Sequence, residues 1–248
     1  MVVILLPQII EKIPFLRKFS FLAFRDDASY ALAQNMDLPG KLVQAFDLAA
    51  LLLDGRVCAQ VPAPKKTEGR YRLGVSVCDC PGWEPPERLA QNLLGALRRL
   101  ARRHPLDIQL LVFNDGPKRG DAGLTQHFAA ELSGLARVSV QAYDRHPLAL
   151  WQTIRACDGL VGIRLHSAVL AYLAEIPFAL LEYHPKCGAF LETAGYASAQ
   201  RLTGVEELDS VLEKTLFEMP FTDLVQLAPA QACQLAQLNF TAAPWCKA

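Results

Sequence analysis

Between residues 71 and 181 the chain alternates short apolar runs with segments whose apolar residues recur at helical spacing. Such runs are typical of buried strands, and leucines three and four residues apart are typical of amphipathic helices. Their alternation predicts an α/β fold, in which helices cover both faces of a parallel sheet. The predicted strands are residues 71–77, 108–113, 137–141, 159–163 and 178–181, and the predicted helices are residues 86–103, 121–134, 147–156 and 165–175.

Charge and length restrict the class of protein. The chain has 248 residues, enough for one large domain or two modest ones. Its 25 basic side chains balance 25 acidic ones, so no overall field would hold a nucleic acid or an anionic membrane. We therefore expect no nucleic-acid partner, and any site for an anion must be local.

The cysteines favour a reducing compartment. There are seven, without a C-x-x-C motif, which fits a reduced cytosolic protein better than a disulfide framework. Cys78 and Cys80 flank Asp79 in a triplet that could bind a metal ion, but nothing else stands at the spacing of zinc ligands. We expect structural cysteines and no metal.

The amino-terminal run "MVVILLPQII" lacks the features of a signal peptide and is too short to cross a bilayer. It predicts a buried strand at residues 2–6. We expect no transmembrane segment, and a protein that is cytoplasmic or peripheral to the inner face of the membrane. Further along, "AFRDDASYALAQN" predicts a short helix with Asp27 or Ser29 as its cap.

Arg164 and His166 lie where the predicted strand 159–163 turns into the predicted helix 165–175. Open α/β sheets bind ligands at this edge, and the first turn of a helix attracts anions. An arginine can bind a carboxylate or phosphate through two parallel hydrogen bonds, and a histidine exchanges protons near neutral pH. The pair predicts a site for an acidic substrate that undergoes proton transfer.

The alternative is structural: Arg164 pairs with a nearby acid such as Asp158, and His166 is a core imidazole. So short a motif recurs by chance, which favours this alternative for an isolated pair. However, Tyr183 and Lys186 follow the next predicted strand directly. Because the carboxyl ends of neighbouring parallel strands converge, a second cation is expected at the same crevice.

These segments resemble the polysaccharide pyruvyl transferases. The likeness lies in "GIRLHSAVLA", "EIPFALLEY" and "YHPKCGAFLETAG", and extends more weakly to "FRDDAS", Asp47 and Asp121. It implies a GT-B-like architecture of two Rossmann-type halves. It also implies transfer of a pyruvyl unit from phosphoenolpyruvate to a sugar of a cell-surface or exopolysaccharide, as a ketal, with no cofactor. The saccharide acceptor can be lipid-linked.

The resemblance also implies roles for individual residues. Arg164 would hold the donor's carboxylate or phosphate, and His166 would be the catalytic acid or base. Ser167, Tyr183 and Lys186 are the further candidates for substrate binding. Family members begin with a glycine-rich strand well before the segment that matches "FRDDAS", so we expect this chain to be either a fragment or a degenerate member with an incomplete acceptor site.

The linker-like stretch "PAPKKTEG" divides the chain. We predict that residues 1–66 form a partial amino-terminal Rossmann-like segment with its linker. Residues 67–222 read as the Rossmann-like donor-binding domain, closing with a helix in "EELDSVLEKTLF", and residues 223–248 read as a carboxyl-terminal tail.

Two other functions stay open. One is a GT-B glycosyltransferase that binds the diphosphate of a nucleotide-sugar at Arg164, for which Glu182 is the nearby carboxylate available to a ribose. The other is a non-catalytic, truncated family member that binds an anion or a partner.

Overall fold

The computed structural model describes residues 2–3, 14–54, 69–79, 86–116, 120–204 and 208–246. These residues form two compact units. The first takes its described residues from Met1–Gln60, His184–Tyr196 and Val225–Ala248, and the second takes them from Val61–Tyr183 and Ala197–Leu224. The domain boundaries placed near residues 66 and 222 stay predictions, and residues 62–68 of the expected linker lie outside the described residues.

Both units are built from parallel strands and helices. In chain order the strands are β1 (Val2–Val3), β2 (Phe21–Phe24), β3 (Lys41–Gln44), β4 (Tyr71–Ser76), β5 (Leu106–Leu111), β6 (Arg137–Gln141), β7 (Gly159–Gly162) and β8 (Phe178–Leu180). The α-helices are α1 (Asp27–Gln34), α2 (Pro86–Arg103), α3 (Ala122–Leu132), α4 (Pro147–Arg155), α5 (Leu165–Leu173), α6 (Pro185–Thr193), α7 (Leu208–Glu213), α8 (Phe221–Leu224) and α9 (Pro229–Thr241).

In the first unit, β1, β2 and β3 form a parallel sheet in that order. Helix α1 begins earlier than either predicted cap would allow. Asp26, in extended backbone, is its cap, and the Asp26 carboxylate accepts a hydrogen bond from Ser29 N at 2.7 Å. The prediction of Asp27 or Ser29 as the cap was therefore wrong. Three residues of capping type stand within four positions, and Asp26 is the one with the extended conformation of a cap.

Helix α9 also belongs to the first unit, and the sequence did not indicate it clearly. Its buried side chains include Ala232 and Ala236, and Asn239 Nδ2 donates to the Phe46 carbonyl at 3.1 Å. The helix thus packs beside the chain that follows β3. Small alanines provide this contact, so the hydrophobic periodicity of the segment is weak.

The second unit contains a five-stranded parallel sheet in the order β6-β5-β4-β7-β8. The five predicted strands are all present, which confirms the Rossmann-like α/β fold. The leucines of α2 that stand at helical spacing, Leu89, Leu93, Leu97 and Leu100, are all buried in the core. Strands β7 and β8 are parallel neighbours, with α5 as the connection between them. The finer GT-B-like arrangement stays a prediction.

The strand order reverses beside β4. From β4 the chain proceeds through α2 to β5, on one side, whereas from β7 it proceeds through α5 to β8, on the other. Connections that leave in opposite directions open a crevice at the carboxyl ends of the two strands, and open α/β sheets bind ligands there. The turn that follows β7 therefore lies at the position where the fold favours a ligand.

The carboxyl-terminal end of this unit contains the predicted last helix in part. Helix α7 covers Leu208–Glu213, and a wider π-helical turn, Lys214–Glu218, follows it. The Tyr71 hydroxyl donates a hydrogen bond of 2.6 Å to the Leu216 carbonyl, which ties this turn to β4. Among the described residues, no helix is both long enough and apolar enough to cross a membrane.

Candidate anion-binding site

The turn between β7 and α5 is held by backbone and hydroxyl contacts. Ile163 N donates to the Ser76 carbonyl at 2.8 Å, which keeps the chain beside β4 for one residue past the strand. Arg164 then caps α5 in an extended conformation. Its carbonyl accepts from Ser167 N at 3.0 Å and from Ser167 Oγ at 2.6 Å, closing the first helical turn.

Ser167 lies inside this turn, because its side chain is fully buried. A Cβ atom added at Gly162 would lie 2.0 Å from Ser167 Oγ, so the end of β7 requires a glycine. The observed contact of the Ser167 hydroxyl is structural, and its role in substrate binding stays a prediction.

The Arg164 guanidinium forms an ion pair with Asp121. Arg164 Nε lies 3.1 Å from Oδ1 and 3.2 Å from Oδ2 of the carboxylate, and Nη2 also contacts Oδ1. The Asp121 side chain is fully buried, whereas 26% of the Arg164 side chain is exposed. The pair therefore consists of a buried acid and a partly exposed cation.

Asp158, which the sequence offered as the structural partner of Arg164, lies at the other end of β7. There its Oδ2 accepts a hydrogen bond of 2.9 Å from Arg72 N. The acid paired with Arg164 is Asp121 instead, because β7 separates Asp158 from the turn that follows the strand.

Asp121 is fixed by the loop that follows β5. Its Oδ2 accepts hydrogen bonds from Phe113 N at 3.2 Å and Asn114 N at 3.1 Å. Asp121 N donates to the Asn114 carbonyl at 2.8 Å, and the Asp121 carbonyl accepts from Thr125 N in α3 at 2.9 Å. The carboxylate is thus anchored to the sheet through backbone groups.

The pKa values of the pair reflect burial and pairing. Burial raises the pKa of the Asp121 carboxyl, and the hydrogen bond and charge of Arg164 oppose this rise. Burial lowers the pKa of the Arg164 guanidinium, but the hydrogen bond to Asp121 and the charges of Cys78, Asp121 and Tyr183 outweigh it, so the pKa rises. Arg164 therefore stays a cation, with Cys78 and Tyr183 near it.

His166 is the second residue of α5, and its side chain is exposed. It is therefore not the core imidazole of the structural alternative. Tyr183 comes shortly after β8, is half-buried, and packs against the core of the second unit. Both residues share this unit with Arg164 and Ser167.

Lys186 belongs to the first unit, where it is the second residue of α6. His184 caps this helix, and its Nδ1 accepts a hydrogen bond of 3.2 Å from Lys186 N. Burial and the Lys186 charge lower the pKa of His184. The expected convergence of Lys186 with Arg164 on one crevice stays a prediction.

Two acids acquire partners that the sequence did not assign. Asp121 was named only in the weaker part of the family resemblance, and its pairing with Arg164 was missed. The available signal was its position directly ahead of α3, in the loop after a buried strand. In the first unit, Arg25 Nη1 lies 2.6 Å from Asp47 Oδ2. Asp47 Oδ1 also accepts from Ala49 N at 3.0 Å.

The carboxylate of the nucleotide-sugar alternative and the candidate metal ligands bear on two further readings of the site. Glu182, proposed for a ribose, forms a two-pronged ion pair with Arg201, in which Arg201 Nε lies 2.8 Å from Oε1 and Nη2 contacts Oε2. Within the described part of the chain, no group of three His, Cys, Asp or Glu side chains is arranged to hold a metal ion. Cys80 of the cysteine triplet lies outside that part.

The fold and the site together define an α/β protein with a candidate site for an anion. Its Rossmann-like sheet has a paired arginine and an exposed histidine at the point where the strand order reverses. The chain belongs to the polysaccharide pyruvyl transferase family, whose family model matches residues 12–185. The match includes Asp121, Arg164 and His166, and it ends one residue before Lys186. A search of curated proteins found no match.

Proposed function

We propose that this protein transfers a pyruvyl group from phosphoenolpyruvate to a saccharide of a cell-surface or exopolysaccharide, leaving a cyclic ketal. The observation that carries the proposal is the arrangement around the start of α5. There Arg164 is held on a buried carboxylate, and the exposed His166 stands two residues further along. Membership of the pyruvyl transferase family supports this reading of the site.

The donor carries a carboxylate and a phosphate, and the start of α5 offers two kinds of group for them. Arg164 supplies a guanidinium, and the first helical turn supplies backbone N–H groups and a partial positive charge. An anion bound at both would lie beside His166. Arg164 therefore takes the donor-binding role.

The reaction needs a group that moves protons. The methylene carbon of the donor accepts a proton, and one sugar hydroxyl attacks the resulting cationic carbon. Phosphate then leaves with its electron pair, and a second hydroxyl attacks to close the ketal. Both hydroxyl protons pass to bases. His166 is the acid or base for these transfers, and cations near the phosphate stabilise its departure.

The remaining candidates support binding. Tyr183 and Ser167 belong to the same unit as Arg164, and Lys186 would add a second cation. The steps consist of proton transfers and displacement of phosphate, and so they call on no cofactor beyond the donor. The cysteine pattern supports a cytoplasmic protein, or one at the inner face of the membrane with a lipid-linked acceptor.

The nucleotide-sugar alternative receives less support, because Glu182 is already paired with Arg201. A titration separates the two functions. We expect the full chain to bind phosphoenolpyruvate in isothermal titration calorimetry more tightly than inorganic phosphate or pyruvate, since only the donor presents both anionic groups together. Tighter binding of a nucleoside diphosphate, with no binding of phosphoenolpyruvate, would overturn the proposal.

A further inference from the structure

The Asp121 carboxylate is fully buried, although its partner Arg164 is partly exposed. Buried ion pairs contribute little to stability on balance, because removing two charges from water offsets most of their attraction. A gain in stability is therefore a poor explanation for the presence of this buried ion pair. The geometry of the pair suggests a better explanation.

Asp121 contacts one edge of the guanidinium, the edge formed by Nε and Nη2. Contacts to two nitrogens fix the plane of the group as well as its position. An unrestrained arginine would lose side-chain entropy when it bound a ligand, whereas an arginine already held in place has lost it beforehand. The pair therefore prepares Arg164 for an incoming anion.

We propose that Asp121 is a positioning residue, which holds the Arg164 guanidinium in the orientation that binds the anionic donor. This inference rests on the proposed function, in which Arg164 binds phosphoenolpyruvate. Asp121 acts through Arg164 and has no contact of its own with the donor.

The position requires a carboxylate. Oδ1 accepts from Arg164, and Oδ2 accepts from the backbone N–H groups of Phe113 and Asn114 as well as from Arg164 Nε. An asparagine would turn its NH2 group toward one of these sets of donors, and a donor facing a donor makes no hydrogen bond. Asp121→Asn therefore either releases the guanidinium or loosens the loop after β5.

The matched control lies at the opposite end of the same sheet. Asp107 in β5 pairs with Arg72 in β4, whose Nε and Nη2 both lie 3.2 Å from Asp107 Oδ2. The Asp107 side chain is 16% exposed. Asp107→Asn breaks an arginine–aspartate pair of the same unit but leaves the turn after β7 intact.

Binding of phosphoenolpyruvate to the full-length variants is measured by calorimetry at a temperature where each variant is folded by circular dichroism. We expect Asp121→Asn to weaken binding about tenfold or more, and Asp107→Asn to leave it within about twofold of wild type. Unchanged binding in Asp121→Asn would overturn the inference.

Asp121→Glu keeps the charge but lengthens the side chain by one methylene, so it separates the effect of positioning from the effect of charge. This variant also replaces the asparagine variant in the measurement if Asp121→Asn does not fold. We expect Asp121→Glu to weaken binding as well. Binding equal to wild type would show that charge alone matters and would overturn the inference.

A measurement without ligand separates this inference from the proposed donor. In an NMR spectrum of arginine Nε–H groups, assigned with Arg164→Lys, we expect a slowly exchanging Arg164 signal in wild type and Asp107→Asn that is lost in Asp121→Asn. If phosphoenolpyruvate does not bind wild type, the proposed function fails, and this signal still decides whether Asp121 orients Arg164. Rapid exchange in wild type would overturn the inference.

Discussion

Asp121 and Arg164 form their ion pair across the carboxyl end of β4, although Asp121 follows β5 and Arg164 follows β7, the strands on either side of it. The pair therefore joins two loops at the place where the strand order reverses. A buried acid and a partly exposed cation meet where a parallel sheet offers space for a ligand.

Replacing Arg164 with lysine keeps the charge but removes the planar group that contacts Asp121 and that, in the proposed function, binds the donor. We expect Arg164→Lys to weaken binding of phosphoenolpyruvate roughly tenfold or more, without abolishing proton transfer. Calorimetric titration measures the binding. Arg72→Lys, at the opposite end of the sheet, is the control and should bind the donor as wild type does; an equal loss in both variants would point to a general effect on folding.

His166→Ala should separate binding from chemistry. In the proposed function Arg164 and the start of α5 hold the donor, so we expect the dissociation constant of the donor to change little. Loss of the proposed general acid should slow single-turnover transfer by about a hundredfold or more. Rapid-quench assays with a saccharide acceptor measure this rate. His127→Ala is the control, since His127 is an exposed histidine on α3 of the same unit. Weaker binding with no change in the chemical step would make His166 a structural residue.

Gly162→Ala should destabilise the second unit. The added Cβ would lie 2.0 Å from Ser167 Oγ, and relieving such a clash in a packed turn typically costs about 1–3 kcal/mol. Urea denaturation measures the free energy of unfolding. Ser167→Ala in the same chain removes the clashing oxygen, so the double variant should recover part of this loss.

Gly123→Ala is the control for that measurement. Gly123 lies in α3, and a Cβ added there meets nothing within 4 Å. Alanine favours a helix over glycine, although the effect is smaller in the first turn than in a helix interior, so this variant should be at least as stable as wild type. A Gly162→Ala variant as stable as wild type would contradict the tight turn at the end of β7.

The stability of the first unit should depend on pH through His184. Its Nδ1 accepts a hydrogen bond from Lys186 N, and burial together with the Lys186 charge lowers its pKa below the ordinary value of 6.5. The unfolded chain therefore binds a proton at a higher pH than the folded one. This contribution is complete above pH 6.5 and is lost as the pH falls from that value toward the lower folded pKa.

His184→Asn keeps an acceptor at the cap without a titrating group, so we expect unfolding free energies measured at pH 7.5 and 5.5 to differ less than in wild type. His146, the cap residue of α4, makes no side-chain capping hydrogen bond. His146→Asn is therefore the control and should leave the pH dependence as it is. A wild-type pH dependence in His184→Asn would contradict this account of the cap.

Local patterns were sufficient to predict the strands of the second unit and the helices between them. Apolar runs and leucine spacing predicted β4 to β8 and α2 to α5 to within a few residues, because each element buries a face whose period is visible in the sequence. Helix α9 was not predicted, because the small side chains of Ala232 and Ala236 provide its packing. The predicted caps of α1, Asp27 and Ser29, lie one and three residues after the observed cap, because the sequence offers Asp26, Asp27 and Ser29 together.

The site could be predicted only in part. Arg164 and His166 were identified from a strand-to-helix turn, which is a local feature. Their surroundings depend on strand order. Asp121 and Arg164 are 43 positions apart, and the chain between them includes two strands whose places in the sheet no local pattern fixes. For the same reason the sequence suggested Asp158, which is closer in the chain but lies at the other end of β7.

The most direct test of the proposed site is a crystal structure of the full chain with phosphoenolpyruvate bound. We expect the donor's phosphate or carboxylate to lie within hydrogen-bond distance of the Arg164 guanidinium and of backbone N–H groups in the first turn of α5. We also expect the Arg164–Asp121 pair to be retained and His166 to lie near the donor's methylene carbon. A donor bound away from α5, or an Arg164 that leaves Asp121 to reach it, would contradict the proposed site.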